Sequence, residues 1–363
     1  MMNKTKVLVS LTIVFLLILS LCCSACTELA LPTQGLGYVL SEDGEGYFVK
    51  RTFEMGQVNH LVIPSRHEGL PVVGIAMRGF VGCSFRSVLL PNSIKYIDLG
   101  AFAGCSLASI TIPNSVQLID SHAFDGCSNL RNVKIGRNVA TIGERAFADT
   151  AIREIKIPAS VTKIGQRPFW GCNDLKNINV ASQNKNYKSI DGVLFSKDET
   201  VLIEYPMGRT ETTYEVSSKV LKIDRYAFAN CYNLTSINIK GMASLEGSAF
   251  YNCRNLVTVT MPLVQSISQE VFADCISLTT VTIPLAVTVI PRDAFARCNS
   301  LQTVYMEKIV RWICDYAFFG CGRIQIVYSG TMEEWDAIRK ESEAIWDGTI
   351  IVCSDGTIQF DKW

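Results

Sequence analysis

Cysteine is the residue whose number and spacing most suggest chemistry in this sequence. The chain has 363 residues and 14 cysteines, and nine of these occupy one repeated position, three residues after a phenylalanine. In an exported protein such a set suggests disulfides. Equivalent residues on neighbouring parallel strands lie about 4.8 Å apart, however, whereas the two Cβ atoms of a disulfide are roughly 3.8 Å apart. The spacing therefore argues against cross-links along the row.

A tenth copy of this position holds Thr150, which has a similar volume and no sulfur. We therefore predict a row of small buried thiols that fill space and neither cross-link nor bind metal. Cys314 and Cys353 lie outside the row, and the sequence leaves open whether they pair with each other. The row itself consists of Cys83, Cys105, Cys127, Cys172, Cys231, Cys253, Cys275, Cys298 and Cys321.

Other side chains that could perform catalysis are few and scattered. The three histidines, His60, His67 and His122, fall in different segments, and the acidic residues show no paired spacing. The sequence contains none of the motifs H-E-x-x-H, G-x-S-x-G, G-x-G-x-x-G and G-x-x-x-x-G-K. We expect a protein that is not an enzyme, with no catalytic residue, no metal and no cofactor.

A repeat of 22 or 23 residues positions the cysteines. Its pattern is I-x-x-x-x-F-x-x-C-x-x-L-x-x-V-x-I-P, as at residues 267–284. A fixed period in this range is the signature of a solenoid, which grows by stacking and needs no second globular core. The phenylalanines that mark the repeats are Phe80, Phe102, Phe124, Phe147, Phe169, Phe228, Phe250, Phe272, Phe295 and Phe318.

Each repeat also predicts its local structure. In the V-x-I triplet the side chains alternate inward, outward and inward, which is the period of a strand, and the proline that often follows ends it. The A-F-x-x-C stretch predicts a helical turn or a tight bend. The predicted fold class is a β-rich solenoid with a parallel sheet on one face, short helical turns on the other, and a small α-helical C-terminal cap.

The N-terminus has the order of a secretory signal. Lys4 and Lys6 precede an apolar run over residues 7–21, and small residues follow it. Ser24-Ala25-Cys26 resembles the lipobox of bacterial lipoproteins, although Cys23 stands where that motif usually has Leu. We expect cleavage before Cys26, a lipid on its sulfur, and an exported chain anchored at the cell membrane or outer surface. Ordinary secretion without a lipid is the alternative.

The repeat and its flanks divide the chain into segments. Residues 1–25 are the predicted lipoprotein signal peptide, 26–37 a tether, 38–74 an N-terminal cap and 75–328 the solenoid. Between Phe169 and Phe228 the period fails, and Asp191-Gly192 predicts an irregular hairpin coil at about 184–215. Residues 329–363 form a C-terminal cap, opened by a capping box of Thr331 and Glu334 whose helix should end near Ala344.

The charge balance bears on the choice of partner. The whole chain is neutral, and removal of residues 1–25 leaves 32 basic and 34 acidic residues, a net charge of −2. Such a balance gives no electrostatic footprint for nucleic acid, so we expect no nucleic-acid partner. The only membrane contact that we expect is through the N-terminal lipid anchor.

The outward side chains of the predicted sheet are the remaining candidates for function. They form mostly neutral hydrogen-bonding rows, and Lys134, Glu154 and Lys156 make the one patch of unlike residues. Solenoids commonly bind partners on such a surface. Thr and Ser also favour exposed strands without any ligand. The candidate binding residues are Thr111, Lys134, Glu154, Lys156, Asn179, Asn238, Thr260, Thr282 and Tyr305.

The repeats at 107–113 and 142–147 resemble those of the BspA-like leucine-rich repeat proteins of bacterial surfaces. The spacer 191–195 with Tyr205-Pro206, and the closing segment 330–335, are also typical of that family. The resemblance covers nearly everything from Tyr38 onward. It implies a leucine-rich-repeat solenoid, surface exposure and binding or adhesion, and it supplies no catalytic residue. Unlike many leucine-rich repeats, this chain has no Asn row after the L-x-x-V-x-I stretch.

Two hypotheses for function follow. In the first, a lipid-anchored surface protein binds a macromolecule, such as a surface, host or matrix protein, through its exposed sheet. In the second, the solenoid is a structural or spacer component of the cell envelope without a discrete ligand.

Overall fold

The computed structural model of the chain describes residues 31–341, 343–345 and 348–360. The repeats stack as a solenoid, and each coil contributes one longer strand, one two-residue strand and one tight turn. The predicted β-rich solenoid is therefore confirmed. Residues 1–25 and Cys26, the predicted signal and lipid site, lie outside the described residues. Within the described ranges, no helix has the length and apolar character that a membrane crossing requires.

The strands before the irregular coil are short, and most belong to the repeats. In chain order they are β1 (Leu36–Leu40), β2 (Tyr47–Arg51), β3 (His60–Val62), β4 (Arg66–His67), β5 (Leu70–Ile75), β6 (Ser87–Leu89), β7 (Tyr96–Ile97), β8 (Ser109–Thr111), β9 (Leu118–Ile119), β10 (Asn132–Lys134), β11 (Thr141–Ile142), β12 (Glu154–Ile157), β13 (Lys163–Ile164) and β14 (Asn177–Val180).

The irregular coil and the second run of repeats complete the chain. Their elements are β15 (Tyr187–Ile190), β16 (Val193–Ser196), β17 (Val201–Glu204), β18 (Thr213–Val216), β19 (Lys222–Ile223), β20 (Ser236–Ile239), β21 (Ser244–Leu245), β22 (Thr258–Thr260), β23 (Ser266–Ile267), β24 (Thr280–Thr282), β25 (Val289–Ile290), β26 (Thr303–Met306), β27 (Trp312–Ile313), β28 (Gln325–Tyr328), α1 (Met332–Asp336), β29 (Arg339–Lys340), β30 (Thr349–Cys353) and β31 (Gly356–Phe360).

The V-x-I strands form a surface that we call the wide sheet. It consists of the parallel pairs β3–β6, β8–β10 and β12–β14, followed by the continuous parallel run β18-β20-β22-β24-β26-β28-β30. Its side chains alternate as predicted. In β24, for example, Thr280 and Thr282 are exposed and Val281 is buried. The buried member of each strand packs into the core, and the exposed members make the outer surface.

A second parallel ladder, which the sequence pattern did not predict, lies at the two-residue strands. We call it the narrow ladder, and it runs through β5-β7-β9-β11-β13, β19-β21-β23 and β25-β27-β29. The Ile or Leu found five residues before each marker phenylalanine is the last residue of its strand in this ladder. Ile142, for instance, is fully buried and pairs in register with Ile119 and Ile164.

The face opposite the wide sheet consists of tight turns with left-handed residues. Two residues before and two after Phe147, Arg145 and Asp149 have φ angles of 51° and 53°, and every other marker phenylalanine is flanked in the same way. Amides at these alternate positions donate to the next coil, as from Phe147 N to Pro168 O at 2.9 Å. The turns are thus tight bends, and among the described residues the α-helix is confined to the C-terminal cap.

The marker phenylalanines stack as one interior row in each half of the solenoid. Their ring centroids lie 5.3–6.1 Å apart from Phe80 to Phe169 and 4.9–5.5 Å apart from Phe228 to Phe318. In the irregular coil Tyr205 takes the place of a phenylalanine and stacks on Phe228 at 5.0 Å. The predicted interior row is confirmed, in two segments.

The irregular coil separates two apolar cores. The predicted hairpin is present, since β15 and β16 are antiparallel and the turn residues Asp191 and Gly192 both have positive φ. Along β16 the side chains alternate between the two cores. Leu194 packs with the residues before the coil, whereas Val193 and Phe195 pack with the residues after it. Strand β16 is therefore a partition shared by both halves.

The ends of the solenoid are closed differently. At the N-terminus β1 and β2 form an antiparallel hairpin, and β2 continues into the narrow ladder through β5. At the C-terminus the predicted capping box of Thr331 and Glu334 is present. Its helix ends at Asp336, not near Ala344, because β29 resumes the narrow ladder and β30 extends the wide sheet. The cap is therefore mostly an additional coil.

Candidate binding surface

The cysteine row is buried, and most of its thiols make the same hydrogen bond to the preceding coil. Seven of the thiols donate to the carbonyl oxygen of the marker phenylalanine in the preceding coil, at 2.9–3.2 Å. Cys231 makes the corresponding contact with Tyr205 O at 3.8 Å. Six of the seven phenylalanine carbonyls also accept an amide hydrogen bond from the cysteine of their own coil, as Phe228 O does from Cys231 N at 3.2 Å. The thiol row thus fills space, as predicted, and also joins each coil to the next.

Burial suppresses the reactivity of most of the row thiols, whereas hydrogen bonding with Cys105 and the nearby Arg51 lower the pKa of Cys83 to about 7. Burial raises the pKa of Cys127 and of Cys172 to about 12, so both remain protonated at neutral pH. Thr150 is buried in the same row, 3.2 Å from Cys172 Sγ, but its hydroxyl donates to Phe147 O of its own coil at 2.9 Å and not to the preceding coil. All cysteines in the described part of the chain are free, including Cys314 and Cys353. Burial therefore keeps Cys127 and Cys172 in the poorly nucleophilic thiol form.

The predicted binding residues all lie on the outer surface of the wide sheet. Asn179 and Asn238 are half-buried, and the other seven are exposed. Register pairs several of them, since Lys156 lies opposite Asn179, Asn238 opposite Thr260, and Thr282 opposite Tyr305. The residues fall into two groups on either side of the irregular coil.

Four residues of the first group line a pocket. Thr111, Lys134, Glu154 and Lys156 surround a depression of about 530 Å³ over β8, β10 and β12, which we call the sheet pocket. Strands β10 and β12 are neighbours there but do not belong to one hydrogen-bonded sheet. The other lining residues are Ser109, Ile110, Arg131, Asn132, Val133 and Arg153.

The sheet pocket is positively charged. Four of its lining residues are cationic and one, Glu154, is anionic. In the described part of the chain neither Lys134 nor Lys156 forms an ion pair, and Arg153 has a single distant one, 4.0 Å from Asp174 with both side chains largely exposed. Like charges on adjacent strands repel one another. The pocket therefore holds cations whose charge the protein itself does not neutralise.

The sequence pattern missed two of these cations. Arg131 and Arg153 come directly before the wide-sheet strands, one position ahead of the rows that alternation assigns to the outer surface. Both nevertheless line the sheet pocket, and in-register hydrogen bonds, from Arg131 N to Ala108 O and from Lys176 N to Arg153 O, align this position in successive coils. The basic residue just before successive V-x-I strands was the available signal.

A second, larger cavity lies between the N-terminal hairpin and the following coils. It has a volume of about 1160 Å³ and is bordered by Phe48 and Tyr96, whose rings stack at 6.1 Å. Its charged lining residues have both signs. They are Glu42, Asp43, Glu45, Lys50, Lys95 and Asp98. This cavity therefore lacks the excess of cations that distinguishes the sheet pocket.

The solenoid is similar to solved structures of bacterial leucine-rich repeat proteins. The chain is similar to the crystal structure of a leucine rich cell surface protein from Faecalibacterium prausnitzii, with 27% identity and a TM-score of 0.65 over 86% of this chain and 98% of that one. It shares its fold with the pneumococcal vaccine antigen PcpA (17% identity, TM-score 0.68, 89% and 98% covered). A leucine-rich repeat protein from Eubacterium ventriosum is alike in fold (20% identity, TM-score 0.64, 91% and 95% covered).

No curated protein sequence matches the chain. The family model for the BspA type leucine rich repeat region does match, in six copies, over residues 50–201 and 210–335. These two ranges contain both sets of marker phenylalanines, the sheet pocket and the capping box. A solenoid of this kind is typically a binding scaffold. The chain belongs to the BspA-type leucine-rich repeat family.

Proposed function

We propose that this chain is an exported cell-surface protein that binds a macromolecule through the outer surface of its wide sheet. The sheet pocket carries the proposal, because Lys134 and Lys156 are exposed there beside Arg131 and Arg153, and neither lysine forms an ion pair within the described residues. Such cations are available to a partner, and a surface or matrix macromolecule of the host is the kind of partner that an adhesive surface protein meets.

Anchoring by a lipid on Cys26 is the second part of the proposal. It rests on the order of basic, apolar and small residues in 1–26. The likeness to a leucine rich cell surface protein supports a location at the surface. An anchor at the N-terminus would leave the described coils free to meet a partner.

The spacer hypothesis remains the second candidate, because the described residues of the later part of the wide sheet show no comparable patch. Its outer rows contain Thr258, Thr260, Thr280 and Thr282, all exposed and neutral. These rows suit a solvated structural element as well as a binding surface.

A retention experiment separates the two candidates. The full chain, purified in a mild non-ionic detergent, would be passed over arrays of surface and matrix proteins and polysaccharides. We expect retention of the wild type and its loss in Thr111→Trp, which places an indole in the sheet pocket. Thr162→Trp is the matched control, since Thr162 is exposed beside the narrow ladder. If no probe retains the wild type, the spacer hypothesis is favoured. Equal retention of both variants would show that the binding site lies outside the sheet pocket.

A further inference from the structure

We propose that the partner of the sheet pocket is an anionic polysaccharide, with carboxylates or sulfates repeated along an extended chain. This inference rests on the proposed function and names the chemistry of the partner at the same site. It follows from how the cations are spaced, from what accompanies them, and from what the pocket lacks.

The cations form two rows that cross successive coils. Arg131, Arg153 and Lys176 occupy the position before three consecutive wide-sheet strands, and the pairing of Glu154 with Asn177 sets Lys176 beside Arg153. Lys134 and Lys156 form the second row, three residues further along the chain. Neighbouring coils of a parallel sheet are about 4.8 Å apart, so the rows run along the stacking direction. A ligand with repeated charges can contact several coils at once.

Hydroxyl and amide groups accompany the cations. Ser109, Thr111 and Asn132 line the pocket, and Glu154 lies among the basic residues as an acceptor without a cation at ion-pair distance in the described part of the chain. A carboxylate in this place repels a ligand that carries only negative charge. It accepts hydrogen bonds from a ligand that also carries hydroxyl groups. The set therefore fits a charged polyol better than a plain polyanion.

The pocket lacks the groups that other macromolecules would use. None of its lining residues is aromatic, so bases of a single-stranded nucleic acid have nothing on which to stack. Its aliphatic residues Ile110 and Val133 are buried or half-buried, and none of the lining residues is a large exposed hydrophobic group. Cores of protein–protein interfaces are enriched in aromatic residues and depleted in Lys. An acidic protein would therefore find charge here but no apolar anchor.

The test measures binding of the full chain, in mild non-ionic detergent, to immobilised polymers of similar length. The probes are polygalacturonate, dextran sulfate, neutral dextran, poly-glutamate and single-stranded DNA. We expect binding to polygalacturonate or dextran sulfate and none to neutral dextran. In Lys134→Ala/Lys156→Ala the Kd should rise about tenfold at low salt, and the slope of log K against log salt should fall by about two, one for each cation removed.

The matched control is Lys95→Ala/Lys163→Ala, which removes the same charge from exposed lysines beside the narrow ladder. It should bind like the wild type, and it also reports on the second cavity, because Lys95 lines that cavity. Binding that weakens equally in both double variants would refute a site in the sheet pocket. Equal affinity for poly-glutamate or DNA would refute the assignment to a polysaccharide.

Failure of this inference can be told apart from failure of the proposed function. If no polysaccharide binds, but the arrays retain the chain on a protein and Thr111→Trp abolishes that retention, the polysaccharide is wrong and the binding surface stands. If the wild type binds nothing on either platform, both are wrong.

Discussion

Replacement of Cys253 tests whether the thiol row is only packing. Cys253 is fully buried, and its Sγ donates to Phe228 O at 3.0 Å. In Cys253→Ala the lost transfer free energy of the sulfur and the small cavity together should cost about 1–2 kcal/mol. Phe228 O keeps a second hydrogen bond, from Cys231 N at 3.2 Å, so the full penalty of a buried unpaired carbonyl does not arise.

Cys253→Ser separates the two contributions. A serine leaves a similar gap but keeps a donor for the Phe228 carbonyl, and a net hydrogen bond contributes about 0.5–1.5 kcal/mol. We therefore expect the serine variant to lie between the wild type and the alanine variant in stability. If the thiol served packing alone, a buried hydroxyl would make serine as costly as alanine or costlier.

The measurement should be local as well as global. Urea unfolding gives the order of the variants, but long repeat arrays can depart from two-state behaviour. Native-state hydrogen exchange should show the loss mainly in the coils around Phe228, Phe250 and Phe272, because each coil contacts only its neighbours. Cys314→Ala, off the row and half-buried, is the control and should change little. A serine variant no more stable than the alanine variant would refute a role for the thiol hydrogen bond.

Three further outcomes are expected. The row thiols should resist a thiol reagent in the native chain and react once it is denatured without reductant; almost no free thiol in denaturant would show that they are cross-linked. Burial raises the pKa of Glu204 to about 8, so the folded state holds a proton that the unfolded state loses above about pH 4.5. The free energy of unfolding should therefore fall as the pH rises from about 4.5 to 8. In Glu204→Gln the urea midpoint should change less over that range, and the same pH dependence of the midpoint in both proteins would contradict this. Cys26→Ser should leave the precursor uncleaved or release the protein to the soluble fraction, whereas mass spectrometry that finds an unmodified N-terminus at another residue would refute lipidation.

Much of the fold could be read from the sequence because the repeat places one kind of residue in one environment. The marker phenylalanines, the V-x-I alternation and the Asp191-Gly192 hairpin each depend on local pattern or local turn chemistry, and each was predicted. The left-handed turns were harder to see. Residues such as Arg145 and Tyr226 adopt a positive φ that is uncommon outside Gly, Asn and Asp, and the hydrogen bonds to adjacent coils that accompany it are not visible in the sequence.

Features that depend on contacts between coils were the ones missed. The sequence indicated that Cys253 is small and buried, but its bond to Phe228 O requires the register of two coils. Because the sequence has no Asn row, it did not show which groups hydrogen-bond to the backbone between coils. In the turns, thiols of the cysteine row do so. Arg131 and Arg153 were not predicted to belong to the binding surface, because strand alternation assigned outward positions only within the strands and both residues lie just before them. The predicted helix was too long because Ala337 ends it and the ladder of β27 continues through β29.

The partition at β16 has a consequence for how the molecule comes apart. In a regular solenoid an unbroken row of stacked rings couples each coil to the next. Here the row ends at Phe169 and begins again at Tyr205. The two halves should therefore behave as separate cooperative folding units that meet at one coil. A destabilising substitution in either half would increase the unfolding rate of that half alone. The sheet pocket lies entirely in the first half, so it would survive when the second half unfolds.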